Sequence, residues 1–267
     1  LFYDRIMRSS FAQNGRKRAE IVHELRGLML RQSGIPAANR ILPFGLPALD
    51  ACLPQGGLSL AAIHQVTPMA GADGPAAFGF IAALLGRLPP GRPVIFVALS
   101  DKRSVQDRLH GHGLNSLGFD PARVIIVGTT DETQALWTME EALRSGVPAA
   151  VTGMAGAKLD LLAGQRLHLA AGDSGIPLLL LRPAKLPDVN VAMTRWLIGA
   201  APAARDRFGL ATHWRWHVRL ERCRNGRSGE WLVEFDHAAY RFSLPAALAN
   251  PAFSCRADTQ SLATRAG

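Results

Sequence analysis

The sequence predicts an α/β fold: a mainly parallel sheet flanked by helices and extended at its C-terminal end by an antiparallel hairpin. Three observations predict it. Between Ile41 and Pro183, short and nearly continuous apolar runs alternate with helical stretches, the pattern of crossover units whose strands are buried on both faces. From Trp214 to Glu221 the chain switches to strict alternation of apolar and polar side chains, the period of a strand with one wet face. Finally, 48% apolar composition over 267 residues is enough to fill a core of that size.

The elements follow in order. Residues 16–33 (RKRAEIVHELRGLMLRQS) place Val22, Leu25 and Met29 on one face and charged residues on the other, so they predict an amphipathic helix that docks on its own domain or on a partner. Gly34 and Pro36 end it and begin a linker. The main domain spans 41–245. Its strands are expected at 61–67, 93–99, 123–127, 149–153 and 177–181, with helices at 75–88, 103–111, 131–145 and 159–171. Right-handed crossovers then put helices on both sides of the sheet. After Pro183 an irregular stretch is expected, and then the hairpin. In it Trp214, Trp216, Val218 and Leu220 form the apolar face, Asn225-Gly226 supplies the turn, and Trp231, Val233 and Phe235 continue the face on the return strand. Residues 246–267 are polar and unpatterned and read as a frayed tail.

The net charge of +9 is concentrated in two windows: residues 1–40 hold eight Lys/Arg against three acids, and residues 195–227 hold eight against two. Patchy positive charge points to nucleic acid or an acidic protein partner. On the hairpin, Arg195, Arg215, Arg219, Arg222, Arg224 and Arg227 are the candidate partner- or DNA-binding residues. Because 26 of the 30 basic residues are Arg, compositional bias offers a second account of the charge. No apolar run reaches the roughly 20 residues that span a bilayer, and the N-terminus lacks the pattern of a secretory signal. A cytoplasmic protein is expected. Cys52, Cys223 and Cys255 are few and far apart, the usage of reduced thiols rather than of a disulfide framework or zinc site.

A fold of this kind binds nucleotide in the turn after its first strand, where backbone amides at a helix N-terminus hold phosphate oxygens. Here that turn reads TPMAGADGPAAFGF from Thr67, with Gly71 and Gly74 but no Lys followed by Ser or Thr. A phosphate loop needs the Lys for the terminal phosphates and the hydroxyl for magnesium. Asp73 adds negative charge where a triphosphate has to sit, and Pro75 follows. The loop is degenerate, and no cofactor is expected. Asp101, just past a strand end, fits a helix cap better than a water-orienting base. Asp131 and Glu132 read as dipole complements of a helix N-terminus, and Glu140 and Glu141 as its solvated face. The histidines show no metal-ligand spacing, and there is no nucleophile elbow. Neither catalytic nor metal-binding residues are expected.

The lead-in LPFGLPALDACLPQGGLSLAAIHQV from Leu42 resembles the entry into a RecA core, with its Leu-Asp pair and Gly-Gly-Leu turn. Aligned without gaps from Gly56-Gly57-Leu58, the phosphate-loop Lys position holds Gly74 and the hydroxyl position holds Pro75. Later segments narrow the match: AGQRLHLAAGDSGIPLLLLRP from Ala163, VAMTRWLIGAAPAA from Val191, and WRWHVRLERCRNGRSGEWLVEF from Trp214. Together they are similar to the ImuA family, RecA-like accessory proteins of bacterial inducible mutagenesis, over about residues 20–245. The resemblance implies a RecA-like core whose central sheet the hairpin continues, with residues 183–213 near the position of a DNA-binding loop. It also implies action in translesion synthesis after DNA damage, which the degenerate loop makes a non-catalytic role. The implied partners are ImuB, a polymerase homologue without its own activity, and an error-prone replicative-type DNA polymerase, with RecA and DNA as further candidates. Regulation of RecA filaments and a DNA-dependent ATPase with an unconventional loop are the alternatives.

Overall fold

A computed structural model describes residues 40–99, 110–184, 186 and 189–245. The predicted N-terminal helix with Val22, Leu25 and Met29, Asp101, most of the helix expected at 103–111, and the tail from 246 lie outside the described residues.

The chain enters through a small two-stranded sheet, β1 (Ile41–Leu42) against β2 (Leu58–Ser59). Between them lies the short helix α1 (Pro47–Asp50). The Asp50 carboxylate accepts from the amides of Phe44, Gly45 and Leu46 at 2.8, 2.9 and 3.1 Å. It thereby folds the lead-in back so that Phe44, Leu46 and Leu49 are buried.

The parallel strands are β3 (Ile63–Pro68), β4 (Val94–Leu99), β5 (Val124–Thr129), β6 (Ala150–Met154) and β7 (Leu178–Leu181). All five sit within two residues of their expected bounds, because each apolar run is contained within one segment; β3, β6 and β7 are buried almost throughout, whereas Ile125 and Ile126 of the edge strand β5 are exposed. The helices are α2 (Gly74–Gly86), α3 (Gly111–Ser116), α4 (Glu132–Arg144) and α5 (Leu161–Ser174). His110 is the N-cap of α3, so the His110–His112 segment opens a helix.

After β7 come β8 (Thr194–Arg205), β9 (Ala211–Cys223), β10 (Gly229–Asp236) and β11 (Arg241–Ser243). The full sheet has nine strands in the order β11-β10-β9-β8-β3-β7-β6-β4-β5. The six from β8 to β5 are parallel to their neighbours, and β9, β10 and β11 are antiparallel. This is the expected α/β class with its antiparallel C-terminal extension. Within the expected irregular stretch lies the 12-residue β8, which fills the space between β3 and β9. Its sequence TRWLIGAAPAAR is poor in strand formers, so two flanking ladders override a weak propensity. Pro202, which has no N–H to give, falls where the β8–β9 register slips between Ala201 and Ala204.

Two cores face opposite sides of the sheet. On one side α2 and the lead-in pack against Trp196, Ile198, Trp216, Val218, Trp231 and Phe235. Because α2 is covered by sheet and lead-in together, it is apolar nearly all round. On the other side α4 and α5 cover β3, β4, β6 and β7. There Glu140 is buried, contrary to its reading as a solvated face: Arg166 Nε of α5 donates to it at 2.8 Å and Arg144 pairs with it at 2.6 Å. The helix pair supplies the cation that makes a buried carboxylate tolerable. Cys52 is buried, with Sγ 3.5 Å from the Ala48 carbonyl oxygen. Cys223 keeps a free thiol, which burial pushes up to about 11.

One polar network crosses the buried middle of the sheet. His64 is fully buried on β3, with Nε2 2.7 Å from the Ser59 carbonyl and Nδ1 2.7 Å from Thr194 Oγ1. A carbonyl can only accept, so Nε2 carries the proton and Nδ1 accepts from the threonine hydroxyl. Trp196 Nε1 donates to the same hydroxyl at 2.7 Å. Every member is satisfied when the imidazole is neutral, and burial lowers its pKa to about 4.

Candidate functional site

The degenerate loop occupies the place where the topology would put a phosphate site, between the C-terminal end of β3 and α2. Gly71–Asp73 form one 3₁₀ turn that runs directly into α2. The loop is stitched to β8 beyond the end of β3: Met69 N donates to Ile198 O at 2.9 Å, and Ala200 N donates to Asp73 Oδ1 at 3.0 Å. Asp73 Oδ2 accepts from Ala70 N at 2.9 Å. The charge that sequence reasoning placed against a triphosphate thus acts as an internal anion, taking two backbone donors at the mouth of the turn. Pro75, in the first turn of α2, has no N–H to offer. Gly71, Gly74 and Pro75 supply no side-chain donor, so the structure brings the four predicted loop residues together as a self-satisfied turn.

Asp73→Asn should lower stability by about 1–2 kcal/mol, because the amide keeps one acceptor and turns an NH₂ toward a backbone N–H. Urea denaturation of the two proteins measures it; an unchanged midpoint would mean that the carboxylate does not hold the loop.

Beside the loop lies an apolar pocket of about 370 Å³, lined by Pro75 and Phe78 of α2, Leu114 of α3, and Trp214 and Trp216 of β9. Sequence reading missed it, since its walls come from three separate elements. Trp214 is 36% exposed at its rim, whereas Trp216 is 5% exposed beneath it.

The hairpin arginines divide into two groups. Arg195, Arg215 and Arg219 lie on the α4–α5 side of the sheet, in the part that no described helix covers, and each meets a carboxylate. Arg215 is directly opposite Glu234 at 2.6 Å, Arg219 is directly opposite Glu230 at 3.2 Å, and Arg195 pairs with Glu221 at 2.7 Å. A window ending at residue 227 could not count Glu230 and Glu234, which only strand pairing brings alongside. The second group surrounds the turn, where Asn225 has φ 61°. Arg222 Nη2 donates to Ala192 O and Arg227 Nη2 to Ala51 O, both at 3.2 Å, while the exposed Arg224 is held by its backbone N–H to Met193 O. These contacts dock the turn on the lead-in and on the entry to β8.

Other carboxylates near the strand ends are also engaged with backbone. Asp131 caps α4 through Gln134 N at 3.0 Å, which holds its carboxyl below the usual range. Glu132 Oε1 accepts from the amides of Gly156 and Lys158, which fixes the connection from β6 to α5. Among the described residues no group of three His, Cys, Asp or Glu side chains is placed to hold a metal ion. No described helix is long and apolar enough to cross a membrane.

Fold and site together define a class: an α/β domain with a mainly parallel sheet and an antiparallel extension, in which the turn after β3 is held by its own carboxylate. No family model matches the chain. It is 36% identical over 239 residues to Protein ImuA of Caulobacter vibrioides, in strains NA1000 / CB15N and ATCC 19089 / CIP 103742 / CB 15, covering 82% of this chain and 94% of the relative. The chain belongs to the ImuA family.

Proposed function

We propose that this ImuA-family protein is a non-catalytic, RecA-like adaptor in DNA-damage-inducible mutagenesis. In this reading it recruits or regulates an ImuB-type polymerase homologue, and through it an error-prone replicative-type DNA polymerase, for translesion synthesis. Family membership supports the setting. One observation carries the adaptor reading: the Asp73 carboxylate takes the Ala70 and Ala200 amides at the loop, where a nucleotide-hydrolysing relative of this topology would present amides, a Lys and a hydroxyl to phosphate. A scaffold kept with that position closed works through its surfaces. The surfaces at hand are the hairpin turn around Arg224 and the apolar pocket between α2 and β9, with RecA and DNA as further binding candidates.

Two measurements test it. Full-length protein titrated with labelled ATP and magnesium, with and without single-stranded oligonucleotide, should show no saturable binding and no DNA-stimulated hydrolysis; tight, magnesium-dependent binding with hydrolysis overturns the reading in favour of an ATPase. In pull-downs of the ImuB-type partner, Arg224→Glu should weaken capture while the fold is retained, because that side chain is exposed. Arg215→Glu and Arg219→Glu suit the purpose poorly, since each would set two carboxylates directly opposite each other across β9 and β10.

A further inference from the structure

The outward side of the α4–α5 pair is more apolar than a solvated face. Trp137 of α4 is 56% exposed, and Leu162 and Leu169 of α5 are 64% and 62% exposed. Between the helices runs an open groove of about 950 Å³, lined by Leu136, Trp137, Leu162 and Ala163 together with Lys158 and Arg166, and carrying at the helix N-termini the exposed carboxylates of Asp131 and Asp160. Large apolar side chains grouped in this way mark a docking surface.

The sequence names an occupant, and the place where the chain enters the fold puts it within reach. Arg40, the first described residue, lines a small pocket with Ala149 and Gly175. Gly175, at φ 69°, is the left-handed cap of α5. Leu88 and Pro89, just past the end of α2, line the same pocket, so the chain enters between the C-terminal ends of α2 and α5, within reach of either. Residues 34–39 reach about 20 Å when extended. The helix expected over 16–33 is about 27 Å long and α5 about 21 Å. Val22 and Met29 are seven residues apart, as are Leu162 and Leu169, so both pairs span the same two turns, about 10 Å.

We propose that segment 16–33 docks in cis on this face, parallel to α5, with Met29 against Leu169, Val22 against Leu162, and Leu25 toward Trp137. In that register Arg16, Lys17 and Arg18 arrive at the end of the groove where Asp131 and Asp160 outnumber Lys158, Arg166 being engaged by Glu140, so the charges complement one another as the apolar residues do. Asp131 and Asp160 already cap α4 and α5, and each retains acceptor capacity toward the basic cluster. The contact does not depend on the adaptor reading. It gives the amphipathic segment a place on its own domain, which any partner of that segment would have to displace.

Hydrogen exchange read by mass spectrometry on the full chain tests this, using the wild type, Leu25→Asp, and the double variant Leu162→Asp/Leu169→Asp. Because Leu162 and Leu169 are exposed, their replacement leaves the fold intact, and circular dichroism checks that. Peptides from 16–33 should exchange about tenfold or more slowly in the wild type than in either variant, independently of protein concentration. Fast exchange of 16–33 in the wild type overturns the proposal. So does protection that survives the double variant, which would place the segment elsewhere. Protection that grows with concentration also overturns it, because the segment would then be docking on a second copy.

Discussion

Replacing Trp216 with alanine should destabilise the protein by about 3–5 kcal/mol, the cost of removing a large buried side chain together with the cavity it leaves. The ring is 5% exposed and stands where β9 meets α2. Its centroid is 6.2 Å from Phe80, 5.9 Å from Phe235 and 6.3 Å from Phe242. A Cβ added at Gly79 of α2 would lie 3.6 Å from the indole, so the helix backbone itself forms one wall. No neighbour can collapse into the gap without moving a helix or a strand. Trp214, two residues earlier on the same face but at the rim, is the control, and its replacement should cost less than about 1 kcal/mol. Equilibrium unfolding in urea separates the two. Equal losses would mean that the alternation of β9 does not determine which tryptophan holds α2 to the sheet.

Acidification should remove about 3 kcal/mol through His64 alone. Its folded pKa of about 4 lies below the unfolded value of 6.5. The unfolded chain therefore binds the extra proton first, and stability falls as pH drops. The contribution is complete above pH 6.5 and is lost progressively between 6.5 and about 4, at about 1.4 kcal/mol per unit of separation. A second proton, on Nδ1, would face the Thr194 hydroxyl that already accepts from Trp196. His168 is also lowered, first by burial and then by Arg224, and acts in the same direction. The measurement is therefore made in a His168→Gln background. Asp131 and Asp236 have carboxyls held below the ordinary value by backbone hydrogen bonds, so their contributions are lost only below about pH 4. The pH dependence of the urea midpoint between 7.5 and 4.5 reads the His64 effect; a flat profile would show that the imidazole takes up its proton without cost in the fold.

Much of the architecture was legible because its signals are local. Five parallel strands and the helices α2, α4 and α5 follow from runs and periodicities contained within single segments. The apolar stripe of β9 and β10, and the turn at Asn225, follow from alternation and from a residue that tolerates positive φ. Four strands escaped, among them the two-residue β1 and β2. β11 is too short for any pattern, and β8 carries Gly199, Pro202 and a series of alanines, so nothing within it announces a strand. The ladders with β3 and β9 create it. At the candidate site the absent Lys and hydroxyl were plain in the sequence, whereas the contacts of Asp73 were not. Its second partner, the Ala200 amide, lies 127 residues away.

Residue identity and local period, then, determined by themselves the α/β class, the antiparallel extension and a phosphate loop without its Lys and hydroxyl. Tertiary structure alone decided what the charges do. Asp73 closes the loop, Glu140 is buried between two arginines, and Glu230 and Glu234 lie opposite Arg219 and Arg215, so a basic window becomes a face of paired charges. The physical reason is range. Hydrophobic periodicity is written into neighbouring residues, but a charge takes its meaning from whatever folding brings within about 4 Å of it.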